Sequence, residues 1–429
     1  MNKKILKELF PLAFILSLFP TSSGFCARLS LDESVQMALQ NNLEIQIAAK
    51  KEDTAKYNLA GAKAKKRLTI SLGSNFSISD GITDGIKKQF ERDNTNSLSL
   101  NYPLYSAGKN NLNVNIQEQT LLQSSLNTQR TAENIAYNTI KAYYDILEAD
   151  QDINVDKESV NNYTQHLKNV QELYSAGSIP KSDLLRSQVA LSNAKQTLIK
   201  AKNTYDINVI TFKNIIKLNR DEPLYLTDTF KYRAFIKPLS YCLLYAAKHR
   251  KDLEQAKIDC NIAQKNIELA KTDYKPTVNA SISTDWTNQP TPTERDHDYT
   301  VGIAASWDVF DNGLTKSSIN SAQSVLEQKQ LALQEKADDI DLEVRQAYLN
   351  MNEAKKRFNS TQTAIDQAEE DLFIAQEKYR VGAGIILDII DAQLALSTAR
   401  LNQISAQYDY ARDKAQLKNA MGISVEDNE

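Results

Sequence analysis

The sequence predicts a mainly α-helical chain that also carries membrane-type β-strands, built as two copies of one unit. Three observations lead there. Glycine and proline number only 12 and 9 among 429 residues, about 5% where ~12% is usual. The chain matches itself at an offset of 205 residues. Four short segments alternate strictly between apolar and small polar residues.

The scarcity of glycine and proline leaves five uninterrupted stretches, at 109–176, 181–222, 239–275, 314–381 and 385–421. An ordinary globular domain ends its helices after about 11–12 residues, so these stretches predict long helices rather than a compact α/β enzyme. No run of 18 apolar residues follows the N-terminus, which argues against transmembrane helices. The 51 basic and 54 acidic residues give a net charge of −3. That balance offers no footprint for a polyanion, and nucleic-acid binding is excluded from the expected functions.

In chain order, Lys3, Lys4 and Lys7 precede an apolar stretch over 9–20 and the small residues Thr21, Ser22, Ser23 and Gly24. This is the pattern of an exported signal peptide over 1–24, with acylation at Cys26 as the alternative processing. Two units follow, at 25–217 and 239–425, joined by 218–238 and ended by an acidic tail, 426–429. At offset 205, Gly108, Tyr143, Tyr174, Gly177, Asp183 and Leu191 coincide with Gly313, Tyr348, Tyr379, Gly382, Asp388 and Leu396. Upstream the offset is 208, pairing Ala38 with Ala246 and Thr69 with Thr277. A period this long marks a duplication rather than a solenoid.

Each unit reads helix, strand, strand, long helix, tight turn, helix. The strands are expected at about 68–79, 97–106, 276–287 and 298–310. In the first, Leu68, Ile70, Leu72, Phe76 and Ile78 share a face opposite Thr69, Ser71, Gly73, Asn75 and Ser77. In the last, Tyr299, Val301, Ile303, Ala305, Trp307 and Val309 oppose Thr300, Gly302, Ala304, Ser306 and Asp308. These lengths suit tilted membrane strands. Tyr102, Tyr105, Trp286, Tyr299 and Trp307 lie toward strand ends, as an interfacial aromatic girdle requires. A soluble sheet packed on a helical core shows the same alternation, but its outer face would carry Lys and Glu rather than Ser, Thr, Asn and Gly. Four strands cannot close a barrel, since bacterial barrels start at eight and unpaired edges are costly in lipid. The chain must oligomerise; dimers, trimers and tetramers would give 8, 12 and 16 strands.

The long helices repeat apolar residues every seven positions. Ile319, Leu326, Leu333, Ile340, Ala347 and Ala354 form one row, and Val344, Met351, Phe358, Ile365 and Leu372 the other. Such narrow a/d seams are those of an antiparallel coiled coil. At 1.5 Å per residue the 68-residue stretches extend about 100 Å, three times the hydrocarbon thickness of a bilayer, so they must project away from it. The middle segment, with Leu224-Tyr225-Leu226, is expected to form a small element at the waist. The three histidines, His166, His249 and His297, are scattered. Cys242 and Cys260 are 18 positions apart, about 27 Å along one helix and beyond disulfide reach. No metal, cofactor or catalytic motif is legible.

The ordered motifs Leu31-Asp32-Glu33-Ser34, Ala38-Leu39-Gln40-Asn41-Asn42, Tyr102-Pro103-Leu104-Tyr105-Ser106-Ala107-Gly108 and Tyr274-Lys275-Pro276-Thr277-Val278 resemble the TolC family of outer-membrane efflux and secretion channels, as do the turns at 174–183 and 379–388. The resemblance covers 29–425. It implies a long coiled-coil α-barrel in the periplasm and a transmembrane β-barrel completed by trimerisation, four strands per chain, in the bacterial outer membrane. It further implies a homotrimer in outer-membrane lipid that works with a periplasmic adaptor protein and an inner-membrane transporter. Small-molecule efflux is the first expectation and type I protein secretion the second; a periplasmic coiled-coil adaptor or scaffold without a pore is the reading from another class. Tyr174, Gly177, Tyr379 and Gly382 then belong to the tip turns that dock the adaptor. Asp388 and Asp391 occupy the family positions of a carboxylate gate. Asp183 is an equal candidate for gate and for helix cap. Gly384 stands where some relatives carry a basic latch residue.

Overall fold

The computed structural model describes residues 27–83, 86–87, 91–287 and 297–423. The expected signal peptide, the Cys26 acylation site and the tail 426–429 lie outside them. In order, the chain forms β1 (Ala27–Leu29), α1 (Leu31–Asn41), α2 (Leu43–Ala64), β2 (Thr69–Ser79), β3 (Ile82–Thr83), β4 (Ile86–Lys87) and β5 (Glu91–Tyr105). Then come α3 (Lys109–Ser175), α4 (Lys181–Ile216), β6 (Leu224–Leu226), α5 (Leu239–His249), α6 (Lys251–Lys271), β7 (Thr277–Thr287), β8 (His297–Ser306), α7 (Leu314–Arg380) and α8 (Ile386–Met421).

The duplication is visible in every helix. α3 and α7 each have 67 residues, and α4 and α8 each have 36. Their boundaries superpose at the offset of 205. At 1.5 Å per residue α3 and α7 are about 100 Å long. Both begin after a pair of left-handed residues, Ala107 and Gly108 in one copy and Asn312 and Gly313 in the other. In the second copy Asp311 fixes the corner by accepting from the amides of Gly313 and Thr315 at 2.9 and 2.7 Å. The first helix of each unit is broken in two, which the sequence pattern does not reveal. Asn42 and Arg250 take the extended backbone at the break, and each amide still closes the preceding helix onto Ala38 or Ala246.

α3 packs on α4 and α7 on α8, while α3 also contacts α8, α2 and α6 and so joins the units. Two buried clusters flank the waist. Ala38, Ile135, Ala142, Ile146, Phe212 and Ile216 fill one. Ala246, Ile340, Ala347, Met351, Leu417 and Met421 fill the other at the duplicated positions. The heptad seam is buried beyond them at Ile365, Leu372 and Ala375. At the waist β1 pairs in parallel with β6, and the segment after β6 is pinned by Tyr143, whose hydroxyl meets Asp228, and by Tyr410, whose hydroxyl donates to the Arg233 carbonyl at 2.9 Å.

The main sheet is antiparallel in the order β2-β5-β7-β8, so the two hairpins lie side by side with β2 and β8 as open edges. Two strand limits differ from the sequence expectation. β5 starts at Glu91 rather than near 97, because every residue from Ser79 back to Thr69 finds a partner on it. β8 stops at Ser306, opposite Thr277 where its antiparallel partner β7 begins, so Trp307, Val309 and Phe310 lie outside the strand.

Candidate functional site

The sheet carries its apolar residues on one continuous face. In register, Ile70, Leu100, Ile282 and Val301 form a row across all four strands. The next row on the same face is Leu72, Leu98, Thr284 and Tyr299. Between them runs a polar row of Ser71, Ser99, Ser283 and Thr300 that faces the other way. The apolar face is open: Leu72 is 75% exposed and Val301 78%. A soluble sheet laid on a helical core would bury these residues. A patch of this kind marks contact with another molecule or a membrane, and among the described residues no helix is long and apolar enough to cross one.

Aromatic residues sit at both ends of this face. Trp286 pairs with His297 at the end away from the helices, and Tyr299 is two residues further along β8. Tyr102 and Tyr105 are at the helix end of β5. Strict alternation would turn Tyr105 away from Tyr102. A register shift between Pro103 and Tyr105 sets Tyr105 opposite Val278, on the apolar side; proline in a strand is at home at such a bulge. Trp307, just beyond β8, is anchored by its indole N–H, which donates to the Tyr274 carbonyl at 3.0 Å. From Val278, opposite Tyr105, to Trp286 is eight residues, roughly 27 Å along the strand, or about 20 Å of height at the usual tilt, most of the ~25 Å apolar band of an outer-membrane barrel.

The opposite pole is the pair of tight turns. After α3, the Ser178 amide donates to the Leu173 carbonyl and the Gly177 amide to that of Tyr174. After α7, Ala383 and Gly382 repeat this on Lys378 and Tyr379. Both are Schellman closures, which need a left-handed residue; Gly177 and Gly382 supply it at φ +72° and +74°. Gly384 is different. A β-carbon there would stand 2.9 Å from the Lys378 β-carbon, so this turn leaves no room for a basic side chain.

Two of the three candidate carboxylates, Asp183 and Asp388, lie in the first turns of returning helices. The Asp388 carboxylate accepts from the Ile385 amide at 3.4 Å, which makes it a helix cap as well as an exposed acid. Asp391, one turn on, is exposed. Its charge, after burial, helps hold the Tyr163 phenol above its usual range. Asp183 is half-buried and acts in the same way on Tyr379. Tyr174 is 39% exposed at the end of α3, whereas the Tyr379 hydroxyl is buried without a partner.

The contact between the two helical hairpins near the tip escapes a reading of apolar periodicity, because it is polar. The Tyr163 hydroxyl donates to the Ile390 carbonyl and the Asn162 amide to Gln393, both at 3.3 Å. Arg400 bridges Glu158 and Glu369 at 2.7 and 2.9 Å. Nearer the waist Arg412 of α8 reaches Asp145, Glu148 and Asp409. Asp145, Glu148, Asp152 and Asp156 recur at spacings of three and four, one face of α3, and that stripe is the signal in the sequence that could have located this junction. Burial, with the charges of Glu148 and Asp156, pushes Asp152 up to about 7.

Comparison with known proteins agrees with this architecture. Residues 34–216 and 244–423 match the outer membrane efflux protein family. The outer membrane protein TolC of Escherichia coli is 23% identical over 433 residues, spanning 97% of this chain and 87% of that protein. The alkaline protease secretion protein AprF of Pseudomonas aeruginosa is 22% identical, spanning 92% and 85%. The crystal structure of the CmeC outer membrane channel of Campylobacter jejuni superposes with a TM-score of 0.81 at 17% identity, covering 93% of this chain and 87% of that one. Proteins of this family are homotrimeric passive pores that work with adaptor proteins and inner-membrane transporters. With two matched segments coinciding with the two structural repeats, the chain belongs to the outer membrane efflux protein family: it is a TolC-type outer-membrane channel protein with a periplasmic helical tunnel, not an enzyme.

Proposed function

We propose that three copies of this chain close a twelve-stranded barrel and a continuous helical tunnel, and that the trimer passively conducts small molecules delivered by an inner-membrane transporter and a periplasmic adaptor. The observation that carries the reading is the four-stranded sheet, with an outward apolar face and two open edges, set at the end of helices about 100 Å long. Pairing β8 of one copy with β2 of the next satisfies both edges. Tyr102, Tyr105, Trp286, Tyr299 and Trp307 then hold the barrel at the two lipid interfaces. The family match favours this channel over a poreless adaptor.

In the same proposal the turns at Tyr174, Gly177, Tyr379 and Gly382 form the docking end for the adaptor. Asp388 and Asp391 from three copies bring six carboxylates to the constriction, a ring that attracts cations, with Asp183 beside it. The repeat supports this for Asp391, whose first-copy counterpart is Arg186: acid is kept in one copy only. Replacing both residues (Asp388→Asn with Asp391→Asn) is expected to weaken block by multivalent cations and lower cation selectivity in single-channel recordings. Unchanged selectivity would reject the gate assignment.

Protein export is the second reading, favoured by the likeness to the secretion protein AprF. Deleting the gene and restoring it on a plasmid separates the two. Efflux requires that toxic small molecules accumulate in the deletion strain and are expelled again on restoration; a deletion that changes only the secreted protein profile would establish export instead.

A further inference from the structure

The tip holds a histidine that neither the gate nor the turns account for. His166 lies on α3 eleven residues before Gly177, with its ring 6.0 Å from that of Tyr379 at the end of α7. It therefore touches the other hairpin. Its Nε2 is buried with no partner, and so is the hydroxyl of Tyr379. Two polar atoms that water would satisfy at once are kept dry by the contact between the hairpins, so separating the hairpins gains hydration at both.

The surroundings fix the sign. Burial alone holds the His166 imidazole below its usual range. Among the groups facing this contact, Tyr163 on the same helix is neutral and already donates to the Ile390 carbonyl. Tyr379 from α7 is neutral. Asp183 from α4 acts on Tyr379, and Asp391 from α8 acts on Tyr163. None is hydrogen-bonded to His166. A proton on the imidazole thus places a cation against a buried Nε2 that has no acceptor, whereas the same proton is tolerated once the ring is in water.

We propose that His166 is a proton-operated release for the tip: protonation separates α3 from Tyr379 and shifts the channel toward its open state as the surroundings acidify. The inference rests on the reading of this end as the gate, but it is independent of the Asp388 and Asp391 ring. A site that binds a proton only in the open state favours opening by up to about tenfold per protomer one pH unit below the ordinary histidine value of ~6.5.

The test is the open probability of the purified full-length channel in planar bilayers between pH 7.5 and 5.5. The wild type is expected to open progressively, with a midpoint at or below ~6.5. His166→Phe, which keeps an apolar ring against Tyr379, is expected to lose that step, and so is His166→Gln, which covers the case in which the Phe variant does not assemble. The Asp388→Asn/Asp391→Asn variant is expected to keep the acid step while losing cation block. An acid step that persists without His166, that disappears only with the aspartates, or that is absent from the wild type overturns the proposal. A change in cation block at pH 7.5 reports on the carboxylate gate separately.

Discussion

Three glycines near the tip do different work although the sequence presents them alike. Gly177 and Gly382 have open space where a β-carbon would go, so alanine there suffers only from the left-handed backbone, about 1–2 kcal/mol each. Gly384 has an unexceptional φ but no space. Gly384→Ala is expected to displace the turn itself, and Gly177→Ala only to lower the temperature at which the assembled protein dissociates; thermal dissociation followed on unheated and stepwise-heated gels distinguishes them. Asp152 makes a pH-dependent contribution. Its carboxyl is raised to about 7 in the folded chain, mainly by burial, while in the unfolded chain it titrates near 3.9. Between those values the folded state holds the extra proton, so this group favours folding at pH 4 and loses that contribution as pH rises toward 7. Asp152→Asn is expected to flatten this dependence and to gain on the order of 1 kcal/mol at pH 8, after allowance for partial exposure, read as dissociation temperature against pH.

At the scale of elements, neighbouring residues on β7 give the sharpest contrast. Ile282 lies in the outward row with Leu100 and Val301, and Ser283 in the inward row with Ser99 and Thr300. Ile282→Arg is expected to cost about 2–4 kcal/mol at mid-bilayer and to reduce the amount recovered in the outer membrane. Ser283→Arg is expected to leave that amount unchanged and alter ion selectivity. Equal loss for both would mean that the sheet does not separate lipid from lumen. The strands were legible because alternation is a local signal, and the 67-residue helices because so little interrupts them. The breaks at Asn42 and Arg250 were not, since neither glycine nor proline marks them. Nor was the β1–β6 pair, which joins residues 197 apart, or the outward turn of Tyr105, which depends on a bulge in the register with another strand. The polar junction from Arg412 down to Tyr163 was missed for a related reason: a heptad search follows apolar residues, and this seam is held by charges and amides.

At the scale of the whole molecule, the duplication explains why one chain carries two strand hairpins and two helical hairpins of matched length. It also leaves the molecule incomplete, with β2 and β8 unpaired on the sheet and apolar residues of α4, among them Val189, Ile199 and Ile210, still exposed on the helical wall. Closure by identical copies satisfies both at once. Repeat lengths and helix order were readable from self-comparison alone, whereas the number of copies was not: four strands per chain allow 8, 12 or 16. The measurement that bears most directly on the account is therefore the native mass of the protein extracted from the outer membrane without heating, set against the heated chain. Three copies in a membrane-bound, heat-labile assembly is the expected result; a soluble, heat-insensitive monomer, or a membrane assembly of two or four copies, would contradict it.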